Sequence, residues 1–276
     1  MPSKTPFPKV SRLQPVWGRP CLIFEASGVK YLVASELHLG LESDLARRGA
    51  YLRSRSHHLA EQLVEDGRKA GAPNLILLGD VKHKYTHTSR QEIRDVPATF
   101  TRLSEAFDKI LVTPGNHDTG LRELLPAKQF PHVRVGNPAG ETVGDDEFRV
   151  GLLHGHTWPR PGLLKAHAWL VGHTHAAARL VDEAGQATTE WAWLRGSLDA
   201  ERVRAKYGRR VSPAVIVFPP YNPLCGGTPI NRDGLLGPVG TLVDPSTSAL
   251  WLLDGRQAMA LDGITLATRR RAGAPD

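Results

Sequence analysis

Residues 29–40 read VKYLVASELHLG, an apolar run that ends in a glutamate and a histidine. The run is mostly apolar and partly β-branched, which is typical of a buried strand. Glu36 and His38 follow it directly, at the end of the strand where an α/β sheet collects its ligand-binding loops. This stretch therefore predicts a strand that delivers an acid and an imidazole to one edge of a sheet.

Four further segments repeat this arrangement of an apolar strand followed by a polar loop. They are 74–83 (NLILLGDVKH), 109–118 (KILVTPGNHD), 148–156 (FRVGLLHGH) and 169–175 (WLVGHTH). Each segment taken alone is most simply a turn or a surface loop, because Gly, Asp and Asn favour turns. Five such segments in one chain are difficult to explain by turn chemistry. Imidazole and carboxylate groups in this number could hold two ions of Mn, Fe or Zn.

The regions between the strands predict the fold class. Residues 54–71 place leucines at helical spacing, and Gly71 with Pro73 ends that helix. A further strand is expected at 214–218. The alternation of strand and helix is typical of an α/β protein.

Residues 178–182 and 187–194 flank a Glu-Ala-Gly turn and predict a β-hairpin, so the second half should be richer in antiparallel strand. We expect two packed mixed β-sheets flanked by helices. The whole chain, 1–276, should form a single domain, with a core of about 20–240, a short C-terminal β extension and a basic tail.

The composition excludes several classes of protein. A chain of 276 residues that is 41% hydrophobic is not mainly disordered. Its longest apolar runs are too short to span a bilayer, and residues 1–9 lack the apolar region of a secretory signal. Two cysteines favour a reducing compartment, so we expect a cytoplasmic protein without a membrane partner. Oligomeric state is not predicted.

The charge balance is basic, with a formal net charge of +7 and a pI near 9.6. This fits a polyanionic partner such as nucleic acid. An equally weighted alternative is a generally arginine-rich composition that has no functional meaning. The arginines at 269–271 are expected to be a frayed, solvated end.

The order of the five motifs resembles that of the calcineurin-like metallophosphoesterase superfamily, whose pattern runs DxH, GDxx, GNHD, a single His and then GHxH. Within that superfamily the chain is similar to archaeal-type SbcD-related phosphoesterases. The second resemblance is carried by residues 37–40, 79–83, 154–159, 219–231 and 237–238. It implies a four-layer α/β/β/α sandwich that hydrolyses phosphoesters with a hydroxide activated by two metal ions.

The resemblance also implies a role for each motif residue. The first ion would be held by Glu36, His38, Asp80 and His175. The second would be held by Asp80, Asn116, His154 and His173, so that Asp80 bridges the pair. His117 would face the scissile phosphate and protonate its leaving oxygen or hydrogen-bond to it, and Asp118 would orient the His117 ring by accepting its other N–H. Manganese is the expected metal, with iron or zinc as alternatives.

Two details of this assignment are open. The family pattern has Asp where this chain has Glu36, so the carboxylate lies about 1.5 Å further out. Glu36 could still bind, could bind the first ion weakly, or could abolish activity, and we expect the first. His154 is preferred over His156 as the ligand after the strand. We also expect His173 and His175 to lie on extended backbone, which would point both rings to one face.

Substrate contacts are expected from Lys82, His83 and His156. Lys82 and His83 lie in a basic loop whose equally weighted alternative is a solvated face. Trp158 could stack on a base or simply fill a loop, and residues 226–227 could approach the site through their backbone or form a plain turn. Neither cysteine lies in a metal motif, so a cysteine-phosphatase mechanism is disfavoured.

The leading functional prediction is a metal-dependent phosphodiesterase or nuclease that acts on nucleic acid, with DNA repair as the expected setting. The first alternative is a phosphoesterase for small or cyclic nucleotides. A second alternative, from a different class, is a catalytically weakened metal-binding partner of an Lhr-type helicase. Glu36 is the residue that makes this last alternative necessary.

Overall fold

The computed structural model describes residues 12–261. Six strands form a first sheet in the order of the chain. They are β1 (Leu13–Pro15), β2 (Leu22–Ala26), β3 (Val29–Ala34), β4 (Asn74–Leu77), β5 (Lys109–Val112) and β6 (Val133–Val135). β1, β2 and β3 pair antiparallel, whereas β3 to β6 run parallel. The predicted strands at 29–35, 74–78 and 109–113 are thus neighbours in one sheet.

Helices connect the parallel strands and align their carboxyl ends. They are α1 (Leu41–Arg47), α2 (Ser56–Ala70), α3 (Arg90–Ser104) and α4 (Leu121–Leu124). Parallel strands need such crossovers, which return the chain to the same starting edge. Ala34 is therefore in register with Leu77, and Leu77 with Val112. The loops that follow these three residues emerge side by side.

The second sheet has nine strands among the described residues. They are β7 (Glu141–Gly144), β8 (Arg149–Leu153), β9 (Ala168–Val171), β10 (Ala176–Val181), β11 (Ala187–Ser197), β12 (Ala214–Val217), β13 (Thr228–Pro229), β14 (Ala249–Leu252) and β15 (Gln257–Ala260). β8, β9 and β12 are parallel neighbours, and the β10–β11 hairpin pairs antiparallel, as do β14 with β11 and β15 with β14. The second half is richer in antiparallel pairing, as the sequence predicted.

Short helices complete the second half of the chain. They are α5 (Ala200–Tyr207), α6 (Ile230–Asp233), α7 (Gly237–Gly240) and two 3₁₀ turns at Pro161–Lys165 and Pro245–Thr247. Within residues 12–261, no helix combines the length and apolar character needed to cross a bilayer. The predicted arginine tail at 269–271 and residues 1–9 lie outside the described residues.

Three apolar layers hold the sheets and helices together. The inner layer packs first-sheet residues such as Phe24 against second-sheet residues such as Trp193, whose ring lies 4.8 Å from that of Phe218. An outer layer places Leu63 of α2 and other helix residues on the first sheet. The other outer layer places Val203 of α5 on the second sheet. The predicted α/β sandwich of two mixed sheets flanked by helices is confirmed.

The amino terminus of α3 carries a capping box that our sequence reasoning missed. The Ser89 hydroxyl accepts a hydrogen bond from the Glu92 N–H, and the Glu92 carboxylate accepts one from the Ser89 N–H. The spacing Ser-x-x-Glu is the sequence signal for this motif. Glu92 also accepts from the N–H groups of His83 and Lys84, at 2.9 and 2.6 Å. The cap therefore fastens the loop that follows Asp80 to a rigid helix.

We expect Ser89→Ala to lower the free energy of unfolding by about 1 kcal/mol, the usual cost of removing a helix cap. Urea unfolding followed by circular dichroism measures this loss. Ser104→Ala, at the other end of α3, is the matched control, because the Ser104 hydroxyl has no hydrogen-bond partner among the described residues. Equal effects of the two substitutions would contradict a capping role for Ser89.

Candidate metal centre

Five loops from both sheets meet at the carboxyl ends of the parallel strands. The loops after β3 and β4 continue to pair beyond the strands, with the His38 N–H donating to the Asp80 carbonyl at 2.9 Å. The loop after β8 reaches the same place from the second sheet, where His154 Nε2 lies 3.4 Å from Asp80 Oδ2. The same His154 nitrogen lies 3.1 Å from Asn116 Oδ1 of the loop after β5. The two sheets therefore share one polar centre.

The residues predicted to hold the first ion lie together. Glu36 Oε2 is 3.0 Å from His38 Nε2 and 2.9 Å from His175 Nε2, and the two ring nitrogens are 3.2 Å apart. Asp80 Oδ2 lies 3.7 Å from the same His38 nitrogen. Two imidazoles and two carboxylates that converge in this way form a donor set suited to Mn, Fe or Zn.

The residues predicted to hold the second ion also lie together, on the other side of Asp80. Ligand atoms of Asp80, His154 and His173 all lie within 4.8 Å of one another. Asn116 joins them through its contact with His154. Asp80 belongs to this group and to the group formed with Glu36 and His38. Its carboxylate is therefore shared by the two groups.

Backbone carbonyls orient two of the histidine rings. His154 Nδ1 donates to the Leu78 carbonyl at 2.9 Å, and His175 Nδ1 donates to the Gly226 carbonyl at 3.0 Å. Each bond assigns the proton to Nδ1 and directs Nε2 into the centre, the arrangement found for metal-binding histidines. The predicted approach of the 226–227 backbone to the site is present in this contact.

The buried carboxylates of the centre need positive charge beside them. Glu36 and Asp80 are buried, and each ion pair that the described residues form with them involves a histidine. Burial disfavours a charged His154, but the carboxylates of Asp80 and Glu36 raise its pKa to about 10. Burial likewise opposes both carboxylates, yet the His154 charge lowers the pKa of each. Buried charges need partners of this kind, and divalent cations among these ligands fit the demand.

Five residues of the centre have a left-handed backbone conformation. Six described non-glycine residues have positive φ, and five of them are Glu36, His38, Asp80, His173 and His175, at 43° to 67°. Such a conformation costs about 1–3 kcal/mol per residue and persists where surrounding contacts impose it. The predicted extended backbone at His173 and His175 is therefore wrong. Their rings still reach the centre, from a pair of tight turns.

Glu36 fits the centre despite its extra methylene. Its Oε1 accepts from the His173 N–H at 2.6 Å and from the Ser35 hydroxyl at 3.0 Å. These bonds leave Oε2 facing His38 and His175. Gly172 provides the space, since a Cβ there would collide with the Ser35 hydroxyl and lie 2.8 Å from Glu36 Oε1. This geometry favours the expectation that Glu36 binds a cation.

His117 lies beside the centre, but Asp118 does not orient its ring. The His117 N–H donates to Asp80 Oδ1 at 3.0 Å, and its Nδ1 donates to the His83 carbonyl. Asp118 instead accepts from the backbone N–H groups of Val81, Lys82 and Gly115, at 2.8, 3.2 and 2.8 Å. The role predicted for Asp118 is corrected: it joins the loops that carry Asp80 and Asn116.

The three residues predicted to contact substrate differ in their positions relative to the centre. Lys82 is fully buried, and its ammonium donates to the carbonyls of Lys84 and His87, so its prediction as a substrate contact is wrong. His83 lies at the centre, with Nδ1 3.2 Å from His38 Nδ1. The His156 ring lies 5.1 Å from that of His154, and its Nδ1 has no hydrogen-bond partner among the described residues.

Two residues of the site had no predicted role. Tyr85 is 57% exposed, and its ring lies 5.7 Å from that of His117, at the edge of a groove also lined by Arg122 and His156. Cys225 places its sulfur within 4.8 Å of ligand atoms of His38 and His175. The only sequence signal for Cys225 was its position in the 219–231 segment.

The sequence of this chain matches a known protein family. A model of the family described as calcineurin-like phosphoesterase matches residues 29–196. The chain is similar to a structure of the nuclease MPE of Pseudomonas putida, with 17% identity over 88% of this chain and 97% of that one and a TM-score of 0.49. It is similar to the phosphoesterase YfcE of E. coli, with 17% identity over 84% and 98% and a TM-score of 0.40. It is also similar to an archaeal phosphodiesterase, with 15% identity over 67% of this chain and 98% of that one and a TM-score of 0.32. No curated protein matches the chain.

We expect Gly172→Ala to weaken Mn²⁺ binding at least about tenfold, because the added methyl group displaces Ser35 and Glu36 from the centre. Calorimetric titration of the metal-free chain measures the affinity. Gly162→Ala is the matched control, since a Cβ at Gly162 meets no atom within 4 Å. Unchanged Mn²⁺ affinity in Gly172→Ala would show that the position of Glu36 does not matter for binding.

Proposed function

Because the chain belongs to the calcineurin-like phosphoesterase family, which hydrolyses phosphoesters, we propose that it is a two-metal phosphodiesterase that acts on nucleic acid. The observation that carries the proposal is the convergence of Glu36, Asn116 and four histidines around the carboxylate of Asp80. The shared carboxylate separates these side chains into two donor sets, and the match of the family over more than half of the 276 residues supports the same chemistry.

Each donor set would hold one divalent cation. Glu36, His38, Asp80 and His175 would hold the first, and Asp80, Asn116, His154 and His173 the second. When bound, such cations lower the pKa of a water and stabilise negative charge on phosphoryl oxygens. We propose manganese, with iron and zinc as alternatives that the same ligands accept.

His117 would act on the phosphate from the edge of the centre. Its Nδ1 is committed to the His83 carbonyl, so Nε2 is the nitrogen that can address substrate. That nitrogen lies 3.9 Å from Asp80 Oδ2, and the side chain is 20% exposed, which leaves room for a ligand oxygen. Because Nδ1 already donates, this role requires the imidazolium form of His117, whose Nε2 would donate a hydrogen bond to a phosphoryl oxygen or its proton to the leaving oxygen. Asp118 would support this role of His117 by accepting hydrogen bonds from the backbone of the loops after β4 and β5.

The groove beside His117 supports a nucleic-acid substrate. Tyr85 presents an exposed ring there, and Arg122 contributes a cation. Trp158 lies outside the lining of this groove; it is 42% exposed, and the Lys206 ammonium lies 3.9 Å from the centre of its ring. Aromatic faces beside cations suit stacked bases and phosphates of a single strand. The net charge of +7 adds a general attraction for polyanions. A helicase partner stays a prediction from the resemblance.

We expect hydrolysis of a generic phosphodiester such as bis(p-nitrophenyl) phosphate to be lost on chelation with EDTA and restored by Mn²⁺. His117→Ala should lower kcat about 100- to 10,000-fold, the usual contribution of a positioned acid or base. Steady-state kinetics with added Mn²⁺ measures both effects. His58→Ala, which removes an exposed histidine of α2, is the matched control and should keep full activity. Activity that survives both chelation and His117→Ala would exclude the proposed centre.

We expect Tyr85→Ala to raise the KM for cleavage of a single-stranded DNA oligonucleotide about 5- to 150-fold, the effect of losing one stacked base. Tyr85→Phe keeps the ring and should keep the KM within about twofold of the original value. Cleavage assays at fixed ionic strength compare the three proteins. Equal KM values for Tyr85→Ala and Tyr85→Phe would show that Tyr85 does not stack on the substrate. If mononucleotides are cleaved and oligonucleotides are not, the substrate class is wrong although the metal centre stands.

A further inference from the structure

We propose that Cys225 is a thiolate ligand of the first metal ion, in addition to Glu36, His38, Asp80 and His175. The inference rests on the metal centre proposed above and specifies its chemistry. A sulfur ligand would distinguish this centre from one built of nitrogen and oxygen donors, and it would change which metals the chain prefers.

The position of the sulfur is the first argument. Ligand atoms of Cys225, His38 and His175 all lie within 4.8 Å of one another. The ring nitrogens of the two histidines are 3.2 Å apart, and both face Glu36 Oε2. The sulfur and Glu36 Oε2 are therefore both neighbours of the same two imidazoles. Cys225 is 8% exposed, so its side chain is directed into the protein.

The loop that carries Cys225 is fastened to both ligand loops, which is the second argument. Toward β3, the Asn222 N–H donates to the Glu36 carbonyl at 3.2 Å, and its side-chain amide donates to the Leu37 carbonyl at 2.8 Å. On the other side, the Thr228 N–H donates to the His175 carbonyl at 2.8 Å. Cys225 lies between these attachments, and its own N–H donates to the Asn222 carbonyl. Its distance from the histidines is therefore set by backbone bonds.

A buried polar network fixes the start of the same loop. The Tyr221 hydroxyl donates to Asp66 Oδ2 at 2.7 Å and accepts from the Arg19 guanidinium at 2.8 Å. Arg19 in turn forms an ion pair with Asp66 of α2. This anchoring to a helix and to residues beside β2 gives the loop little freedom to carry the sulfur away from the centre. A preorganised ligand of this kind binds a metal without an ordering cost.

The chemistry of a thiolate leads to a definite consequence for metal choice. Binding converts the Cys225 thiol to a thiolate: a sulfur–metal bond forms, the S–H bond breaks, and the proton goes to solvent. Thiolate favours softer ions such as Zn²⁺ and Co²⁺ over Mn²⁺. Cys225 would thus raise the affinity of the first site for zinc, whereas the second site has only nitrogen and oxygen ligands.

Cobalt spectroscopy of the metal-free, 276-residue chain tests the proposal. Titration with Co²⁺ under anaerobic conditions should produce a sulfur-to-cobalt charge-transfer band in the near ultraviolet, together with the visible bands of bound cobalt. Cys225→Ser and Cys225→Ala should lose the near-ultraviolet band and keep visible bands. Cys21→Ser is the matched control: Cys21 is the other buried cysteine, it lies beside Asp66, and its substitution should keep the charge-transfer band.

Affinity gives a second, independent measurement. Competition with a chromophoric chelator should show that Cys225→Ser weakens Zn²⁺ binding at least about tenfold and changes Mn²⁺ binding by less than about threefold. Thermal unfolding of each variant establishes that it is folded. Should both Cys225 variants fail to fold, the band in Cys21→Ser still identifies the ligand, because Cys225 is then the one cysteine left in the sequence.

The outcomes separate the two proposals. Visible cobalt bands without a charge-transfer band in the original chain would overturn the role of Cys225 and leave the metal centre intact. A chain that binds no cobalt, zinc or manganese would overturn the metal centre and the role of Cys225 together. A charge-transfer band that survives in Cys225→Ser and disappears in Cys21→Ser would assign the sulfur elsewhere.

Discussion

The carboxylate of Asp80 joins the two sheets at their carboxyl ends. One oxygen accepts from the His117 backbone, and the other lies near His38 of the first sheet and His154 of the second. This carboxylate is buried and charged, so its removal from water is tolerable only because cationic or hydrogen-bonding groups surround it. The contacts that satisfy it are the same contacts that gather the five loops, which couples the shape of the centre to the packing of the sheets.

The centre is held in a strained form by contacts outside it. Glu36, His38, Asp80, His173 and His175 have left-handed backbone that their side chains disfavour. Asp118 compensates by accepting three backbone N–H groups from two loops, and Glu92 does the same for the loop after Asp80. Acids that bind backbone rather than substrate therefore fix the loop that carries Asp80.

Close packing around Glu36 explains how a longer acid serves at this position. Its first oxygen is bound by the His173 N–H and the Ser35 hydroxyl, and Gly172 leaves the space that this requires. The second oxygen is then free to face the two histidines. An anionic centre enclosed in this way acts on its neighbours through charge: its carboxylates raise the pKa of His154, and divalent cations would replace that proton as the compensating charge.

The sequence by itself determined the α/β class, the principal strands and the helix at 54–71, because hydrophobic periodicity and Gly–Pro boundaries are local features of a chain. The order of its motifs, through the resemblance to a known family, also identified the histidines, acids and asparagine that meet at the centre, where parallel strands deliver their following loops to one edge. The tertiary structure alone decided the left-handed turns, the burial of Lys82, the backbone role of Asp118 and the proximity of Cys225 to His38. Each of these depends on hydrogen bonds or packing between segments far apart in the chain. Local sequence patterns carry no information about such partners until the sheets are packed.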